Sequence, residues 1–471
     1  MTRHFRSALS IFALLLLIIL IIAILQAGKN LEIPSTLINA PKTVSDVQIW
    51  LDGLHHPLAI FLLQLIIIIG MAQLLGWIFR RFGQPSVMGE IIAGILLGPS
   101  FLGMISPHFF KVIFPKESLT HINMLSQIGL VLFMFVIGME LDLRLVKAKI
   151  RSAVYISNVS ILLPFSLGVL LSYFLYKKFA PAHIPFYAFA LFIGVAMSIT
   201  AFPVLARIIR ERKIATTTYG AIAMTSAAAN DITGWCLLAF VIAIVKAGSI
   251  TASLFTLFTT AIYVALMLVV VKKLLHRLAT IKVETKEMRA STLAVIFSTM
   301  LISAYCSEII GIHALFGAFI AGVVMPEEWS FRQLIIHKIE DVALVLLLPL
   351  FFVYTGLRTE IGVLTDPTLW GLCVLVIVIA IVGKLGGGAL AARIKGETWL
   401  DSIAIGALMN TRGLMELVIL NIGFDLGILS PEIFTIFVVM ALVTTLLTCP
   451  ILSLLNRIEA FKKRNDHLVH T

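Results

Sequence analysis

Apolar runs of about 20 residues recur along the whole chain, and this limits its possible folds more than any single motif. About fourteen such stretches, a few of them short, begin near residues 8, 57, 87, 123, 153, 186, 218, 252, 290, 312, 341, 368, 400 and 431. In hydrocarbon every backbone N–H and C=O must find its partner inside the protein, so runs of this length read as helices. With 60% hydrophobic residues, 13% charged residues and a mean hydropathy of +1.04, a soluble globular class is excluded. No hydrophilic stretch exceeds about 30 residues, so no appended soluble domain is expected. The expected fold class is an all-α polytopic membrane protein of about 13–14 transmembrane helices.

The net charge of +11 follows topology rather than a nucleic-acid partner. Arg80 and Arg81, then Arg144, Lys147, Lys149 and Arg151, then Arg210, Arg212 and Lys213, fall in alternate loops. The stretch from Lys272 to Arg289 and the basic tail 457–471 lie on the same side. About 25 Lys and Arg on that side against about 8 on the other place both termini in the cytoplasm of a cell, bacterial inner, membrane. Arg3 and Arg6 before the first apolar run resemble a signal peptide, but the run is long and Leu25 and Ala27 make a poor cleavage site, so an uncleaved helix over 1–28 is expected. Cys236, Cys306, Cys373 and Cys449 all sit in apolar segments and read as small packing residues.

Two pairs of strings match in the same order. GEIIAGILLGP (Gly89 to Pro99) matches GAFIAGVVMP (Gly317 to Pro326), and LFMFVIGMELDL (Leu132 to Leu143) matches LFFVYTGLRTEI (Leu350 to Ile361). Gly138 then aligns with Gly356, and Asp142 with Glu360. The copies lie an odd number of crossings apart, so they enter the bilayer from opposite sides. That is an inverted-topology repeat, the common build of secondary transporters with a midplane site. The membrane domain is read as 57–456, with repeats at about 57–245 and 290–456.

Asp231 lies mid-run in YGAIAMTSAAANDITGWCLLAFVIAIV, where a carboxylate costs about 3 kcal/mol on the mildest insertion scale. Lys384, Arg412 and Glu416 lie comparably deep. The run AMSITAFPVLARI carries Pro203, which removes one N–H and clashes with the Ile199 carbonyl. Its repeat partner ALMNTRGLMELVI places Asn410, Thr411 and Gly413 at matching depth. Both should be discontinuous helices, with freed carbonyls and hydroxyls around Ser198 and Thr200 suited to a dehydrated monovalent cation. Burial favours the protonated carboxyl and a nearby cation the ionised one, so a proton and a metal cation compete for Asp231. Asn230 adds a carbonyl ligand without charge. Lys384 reads as counter-ion to Asp231, as a proton carrier or as a snorkelling lysine. Arg412 and Glu416, four apart on one helical face, suit a mutual ion pair propping the broken helix. Glu90, Glu140 and Glu308 lie nearer segment ends and read as interfacial or gating residues at most. No P-loop string is present, and His313 has no companion for a metal site.

The strings QPSVMGEIIAGILLGPSFLG, SITAFPVLARI, AAANDITGW, LPLFFVYTGLRTEI and MNTRGLMELVILNIG together resemble the monovalent cation:proton antiporter-2 family, especially bacterial relatives of plant cation/proton exchangers. The resemblance spans roughly residues 57 to 456. It implies a sodium/proton antiporter-like fold with crossed broken helices, a homodimer, and a six-helix core moving like an elevator. It also implies ion binding at Asp231 with Asn230 beside it, Thr200 as a ligand on the crossing helix, and Lys384 as the core lysine. The chain departs from double-aspartate members in having Asn230.

One fixed carboxylate exchanging one proton for one Na⁺ or K⁺ is electroneutral, and that exchange is the expected function. No enzymatic activity, cofactor or nucleic acid is expected. The partners are the bilayer, monovalent cations and protons. A sodium-coupled organic-solute carrier, and a passive channel or sensor on the same fold, are the competing readings.

Overall fold

In the computed structural model, residues 56–140, 150–182, 184–214, 217–247, 250–279, 290–364 and 366–469 are described. The expected helix over 1–28 and the Asp142 match lie outside them. Every regular element among the described residues is helical. In chain order these are α1 (Pro57–Arg81), α2 (Ser86–Leu97), α3 (Lys116–Glu140), α4 (Ile150–Phe179), α5 (Phe186–Ser198), α6 (Phe202–Glu211), α7 (Thr218–Ala247) and α8 (Ile250–Leu266). They continue as α9 (Ala290–Ile310), α10 (Ala314–Val323), α11 (Trp329–Val342), α12 (Leu348–Leu357), α13 (Pro367–Ile381), α14 (Gly387–Ile394), α15 (Trp399–Met409), α16 (Leu414–Asp425) and α17 (Pro431–Val469). Shorter helices, left unlabelled, join some of these.

Ten helices among the described residues are long and apolar enough to cross a membrane, and α5 and α10 are shorter apolar helices. With the α11–α12 segment, they fall on the apolar runs read from the sequence from residue 57 onward. Single π-helical turns interrupt three of the rods, at Met267–Val271, Ala343–Leu347 and Val382–Gly386. Such turns add one residue to the helical register and often occur at functional positions. The last of them carries Lys384.

The matched strings make matched contacts. α2 packs against α12, and α10 against α3, which is the same pairing once each string is exchanged for its repeat mate. Both contacts are made at glycine. A β-carbon on Gly94 would lie 2.8 Å from the Gly356 Cα, and one on Gly322 would lie 2.9 Å from the Gly138 Cα. Between helices in lipid, where no hydrophobic driving force operates, this backbone approach supplies the packing energy.

Burial locates the centre of the packing. The broken segment Trp399–Asp425 is 94% buried within the protein, whereas Pro57–Arg81 and Phe258–His276 are each 17% buried and face outward. Residues Ile60–Thr471 form one compact unit around that segment. Cys373 and Cys449 are buried as expected of packing residues and Cys306 is half-buried, but Cys236 is exposed on α7, outside the internal packing.

Candidate ion site

Two helices stop in mid-chain and cross. α5 ends at Ser198 and α6 begins at Phe202, while α15 ends at Met409 and α16 begins at Leu414. The unwound strands meet through Ala201 N–H, which donates to the Thr411 carbonyl at 3.0 Å. The Thr200 hydroxyl donates to the Met409 carbonyl at 2.9 Å. Gly413 permits the approach, since a β-carbon there would lie 2.8 Å from Val204 Cγ2.

Each break frees backbone N–H groups that a neighbouring helix must satisfy. In the first half, α7 does so: Asn230 Oδ1 accepts the Thr200 N–H at 3.0 Å, and Asp231 Oδ1 accepts the Phe202 N–H at 3.4 Å. In the second half, α17 does so: Thr445 Oγ1 accepts the Arg412 N–H at 2.8 Å and donates to the Arg412 carbonyl at 2.8 Å. Thr445 escaped the reading of the sequence. Its signal was the repeat register, which sets the α7 polar pair against the Thr444–Thr445 pair of α17.

The freed carbonyls of α5 are held by cationic side chains. Arg412 donates to the carbonyls of Ala196 at 3.0 Å and Met197 at 2.8 Å. Lys384 Nζ donates to the Ser160 carbonyl at 2.9 Å and also to that of Ser198. A helix C-terminus carries partial negative charge, so two cations there are favourable. Lys384 therefore contacts backbone carbonyls rather than the Asp231 carboxylate, and the carbonyl of Ser198 is already engaged. Snorkelling is overturned, since Lys384 is fully buried.

Arg412 and Glu416 form an ion pair of 2.9 Å with both side chains at most 1% exposed. Glu416 lies in the first turn of α16, where the positive end of the half-helix dipole favours a carboxylate. Asp231 stands in the same relation to the start of α6. The carbonyls at the second break meet hydroxyls and an N–H instead: Met409 accepts from the Thr200 hydroxyl, Thr411 from the Ala201 N–H, and Ala407 from Thr448 Oγ1 at 3.2 Å. The crossing is thus symmetric in backbone and asymmetric in charge.

Asp231 is 3% exposed and Asn230 fully buried, yet Asp231 Oδ2 makes no hydrogen bond. Ser157 and Ser160 on α4, Ser226 on α7 and the Asn410 amide oxygen are likewise buried without hydrogen-bond partners for their side-chain oxygens. Thr200 Oγ1 and Ser198 Oγ each donate to a carbonyl, which leaves their lone pairs available as ligands. Of the peripheral residues, Glu308 is exposed and accepts the Ala314 N–H at 2.8 Å, capping α10, and Glu90 accepts the Ser86 hydroxyl at 3.3 Å. His313 belongs to that same N-terminus, accepting the Leu315 N–H.

A helical membrane protein whose two halves cross at broken helices beside a buried carboxylate has the architecture of a secondary ion transporter. The transmembrane sodium/hydrogen exchanger family model matches residues 66–456, and the chain belongs to that family. It is 43% identical to the Na(+)/H(+) antiporter NhaS4 of Synechocystis sp., over 84% of this chain and 97% of that protein. It is 40% identical to cation/H(+) antiporter 17 of Arabidopsis thaliana and 36% identical to K(+)/H(+) antiporter 1 of Saccharomyces cerevisiae. Those matches take in 85% and 88% of this chain, which spans about half the length of each of these two relatives. The solved structure of the sodium proton antiporter MjNhaP1 from Methanocaldococcus jannaschii at pH 8 aligns with a TM-score of 0.63 and 14% identity, over 83% of this chain and 95% of that one. At that identity the likeness concerns the fold. It agrees with the antiporter-like architecture expected from the sequence.

Proposed function

We propose that the chain is a secondary active antiporter exchanging Na⁺ or K⁺ for H⁺ by alternating access, with Asp231 occupied in turn by proton and cation. The observation that carries this reading is the buried Asp231 Oδ2, unpaired at the meeting point of two broken helices. A carboxylate so placed demands either a proton or a metal cation, because an isolated buried charge is not tolerated. Asn230, Thr200 and Ser198 complete the ligand set through neutral oxygens. Names among the relatives include both Na(+)/H(+) and K(+)/H(+) antiporters, which supports a monovalent cation as cargo.

Lys384, Arg412 and Glu416 act as the fixed frame. Lys384 is held by the Ser160 and Ser198 carbonyls, and Arg412 and Glu416 pair with one another. Asp231 is then the one carboxylate shared by proton and cation, and the exchange is one for one and electroneutral. The protein works as a homodimer in the cell membrane with both termini cytoplasmic, as the basic loops favour.

The test is Asp231→Asn in inverted vesicles, where cation-driven proton movement is expected to vanish while the protein stays folded. Retained exchange removes Asp231 from its role. Proteoliposomes clamped at different potentials check the stoichiometry: a strongly voltage-dependent equilibrium refutes electroneutrality.

A further inference from the structure

Where α4 ends and α13 begins, the two helices diverge and leave a groove of about 450 Å³. Its walls are apolar, with Leu167 and Leu171 on α4 facing Leu372, Leu375 and Ile379 on α13. At its mouth lie Lys178, Phe179 and Leu369, which also line a second, more polar space of about 350 Å³. That second space is bounded by Lys178, Asp366, Ser430 and Glu432. The two are continuous through the shared residues, so together they fit one amphipathic molecule with an apolar limb and a charged head.

The dimensions match a lipid in one leaflet. From Thr368 to Ile379 a helix rises about 17 Å, against about 15 Å for half the hydrocarbon core. Tyr173, Phe174, Phe186 and Trp370 are exposed around the same helix ends. Exposed aromatic residues of this kind mark the depth of the lipid headgroups. The polar space therefore lies where a headgroup lies, and the apolar groove runs where an acyl chain runs.

The charges select among headgroups. Lys178 offers one cation and Asp366 and Glu432 two carboxylates. Asp366 caps α13 by accepting the Thr368 N–H at 3.0 Å. This bond and the Thr368 side chain hold its carboxyl below the ordinary value, and Lys178 adds a smaller pull in the same direction, so it stays ionised. An anionic headgroup would satisfy Lys178 and be repelled by both carboxylates. A choline headgroup has no N–H to donate to them. A primary ammonium beside a phosphate complements all three charges.

We propose that this composite groove binds one phosphatidylethanolamine-class lipid, its phosphate on Lys178, its ammonium between Asp366 and Glu432, and one acyl chain between α4 and α13. The deep end of the groove is Leu167, and a β-carbon on Gly383 would lie 3.1 Å from Leu167 Cδ1. Gly383 precedes Lys384, whose amine bonds the Ser160 carbonyl on α4. The acyl chain would thus wedge the two helices that jointly hold Lys384. The proposal does not depend on which ions are exchanged.

Native mass spectrometry of the full chain, offered phosphatidylethanolamine, phosphatidylcholine and phosphatidylglycerol in turn, tests it. Phosphatidylethanolamine is expected to bind about tenfold tighter than either other lipid. Lys178→Met and the double variant Asp366→Asn/Glu432→Gln should each weaken that binding about fivefold. Leu372→Trp, which fills the groove, should weaken it as much with the headgroup charges intact. Melting of each variant in lipid-free detergent controls for folding, and is expected to match the unaltered protein. Equal affinity for the three lipids overturns the proposal, as does unchanged phosphatidylethanolamine binding in folded variants.

Discussion

Arg412→Met is the most demanding perturbation of this fold, because one guanidinium holds three buried groups at once. It pairs with Glu416 at 2.9 Å and donates to the carbonyls of Ala196 and Met197 at 3.0 and 2.8 Å. Removing one member of a buried ion pair costs about 3–5 kcal/mol, chiefly because the remaining charge is left uncompensated. Each carbonyl deprived of a charged donor adds about 1–2 kcal/mol, with incomplete additivity because all three contacts share one group. A total near 5 kcal/mol is expected, about 4,000-fold in the folding equilibrium. The diagnostic is the double variant Arg412→Met/Glu416→Met, which removes the stranded carboxylate and leaves only the carbonyls unpaired. It should regain about 3 kcal/mol relative to the single variant. Folding free energy, measured by steric trapping in bicelles, reads both values. If the double variant is no more stable than Arg412→Met, the cost does not come from the stranded carboxylate and the proposed frame role fails.

Three further outcomes follow from the contacts. Thr445→Val strands the N–H and the carbonyl of Arg412 together and should destabilise by about 2–4 kcal/mol, whereas Thr445→Ser should be nearly neutral; equal losses in thermal-shift measurements would contradict the hydrogen-bond account. Gly322→Ala and Gly94→Ala push a β-carbon into backbone at repeat-related contacts and should each cost about 1–3 kcal/mol, with comparable effects on melting if the repeat symmetry governs packing. Arg358 pairs with Asp425 at 2.5 Å and stacks over Tyr354 and Phe424, joining α12 to α16, but Asp425 is 46% exposed. Arg358→Gln should therefore cost only about 1 kcal/mol and less at high salt, and a salt-independent loss would assign the contact to packing.

The crossing explains why so few residues of this chain are chemically informative. Unwinding a helix in lipid exposes donors at one half-helix and acceptors at the other, and each must be met locally. Asn230 and Asp231 meet donors of the first break, Thr445 meets those of the second, and Arg412 and Lys384 meet the acceptors of α5. Among the described residues, Asp231 Oδ2 is left unengaged at the first break, while Glu416, paired with Arg412 through Oε2, keeps Oε1 without a hydrogen bond. The same groups that make the breaks possible leave Asp231 Oδ2 beside the crossing, where the proposed exchange takes place.

Much of this was legible before any coordinates. Apolar length alone dictates bilayer-spanning helices, because hydrocarbon offers the backbone no other partners. The matched glycine strings imply two halves of opposite orientation, and the mid-run positions of Asp231, Lys384, Arg412 and Glu416 mark candidate site residues, which the structure brings to one buried crossing. What only the tertiary structure decided is who touches whom. Lys384 is some 150 residues from Asp231 along the chain, so no local spacing says whether its amine reaches that carboxylate or, as it does, the carbonyls of Ser160 and Ser198. Backbone carbonyls are the same in every residue and leave no trace in a string of letters. They become ligands only where a helix breaks and another chain segment is folded against it.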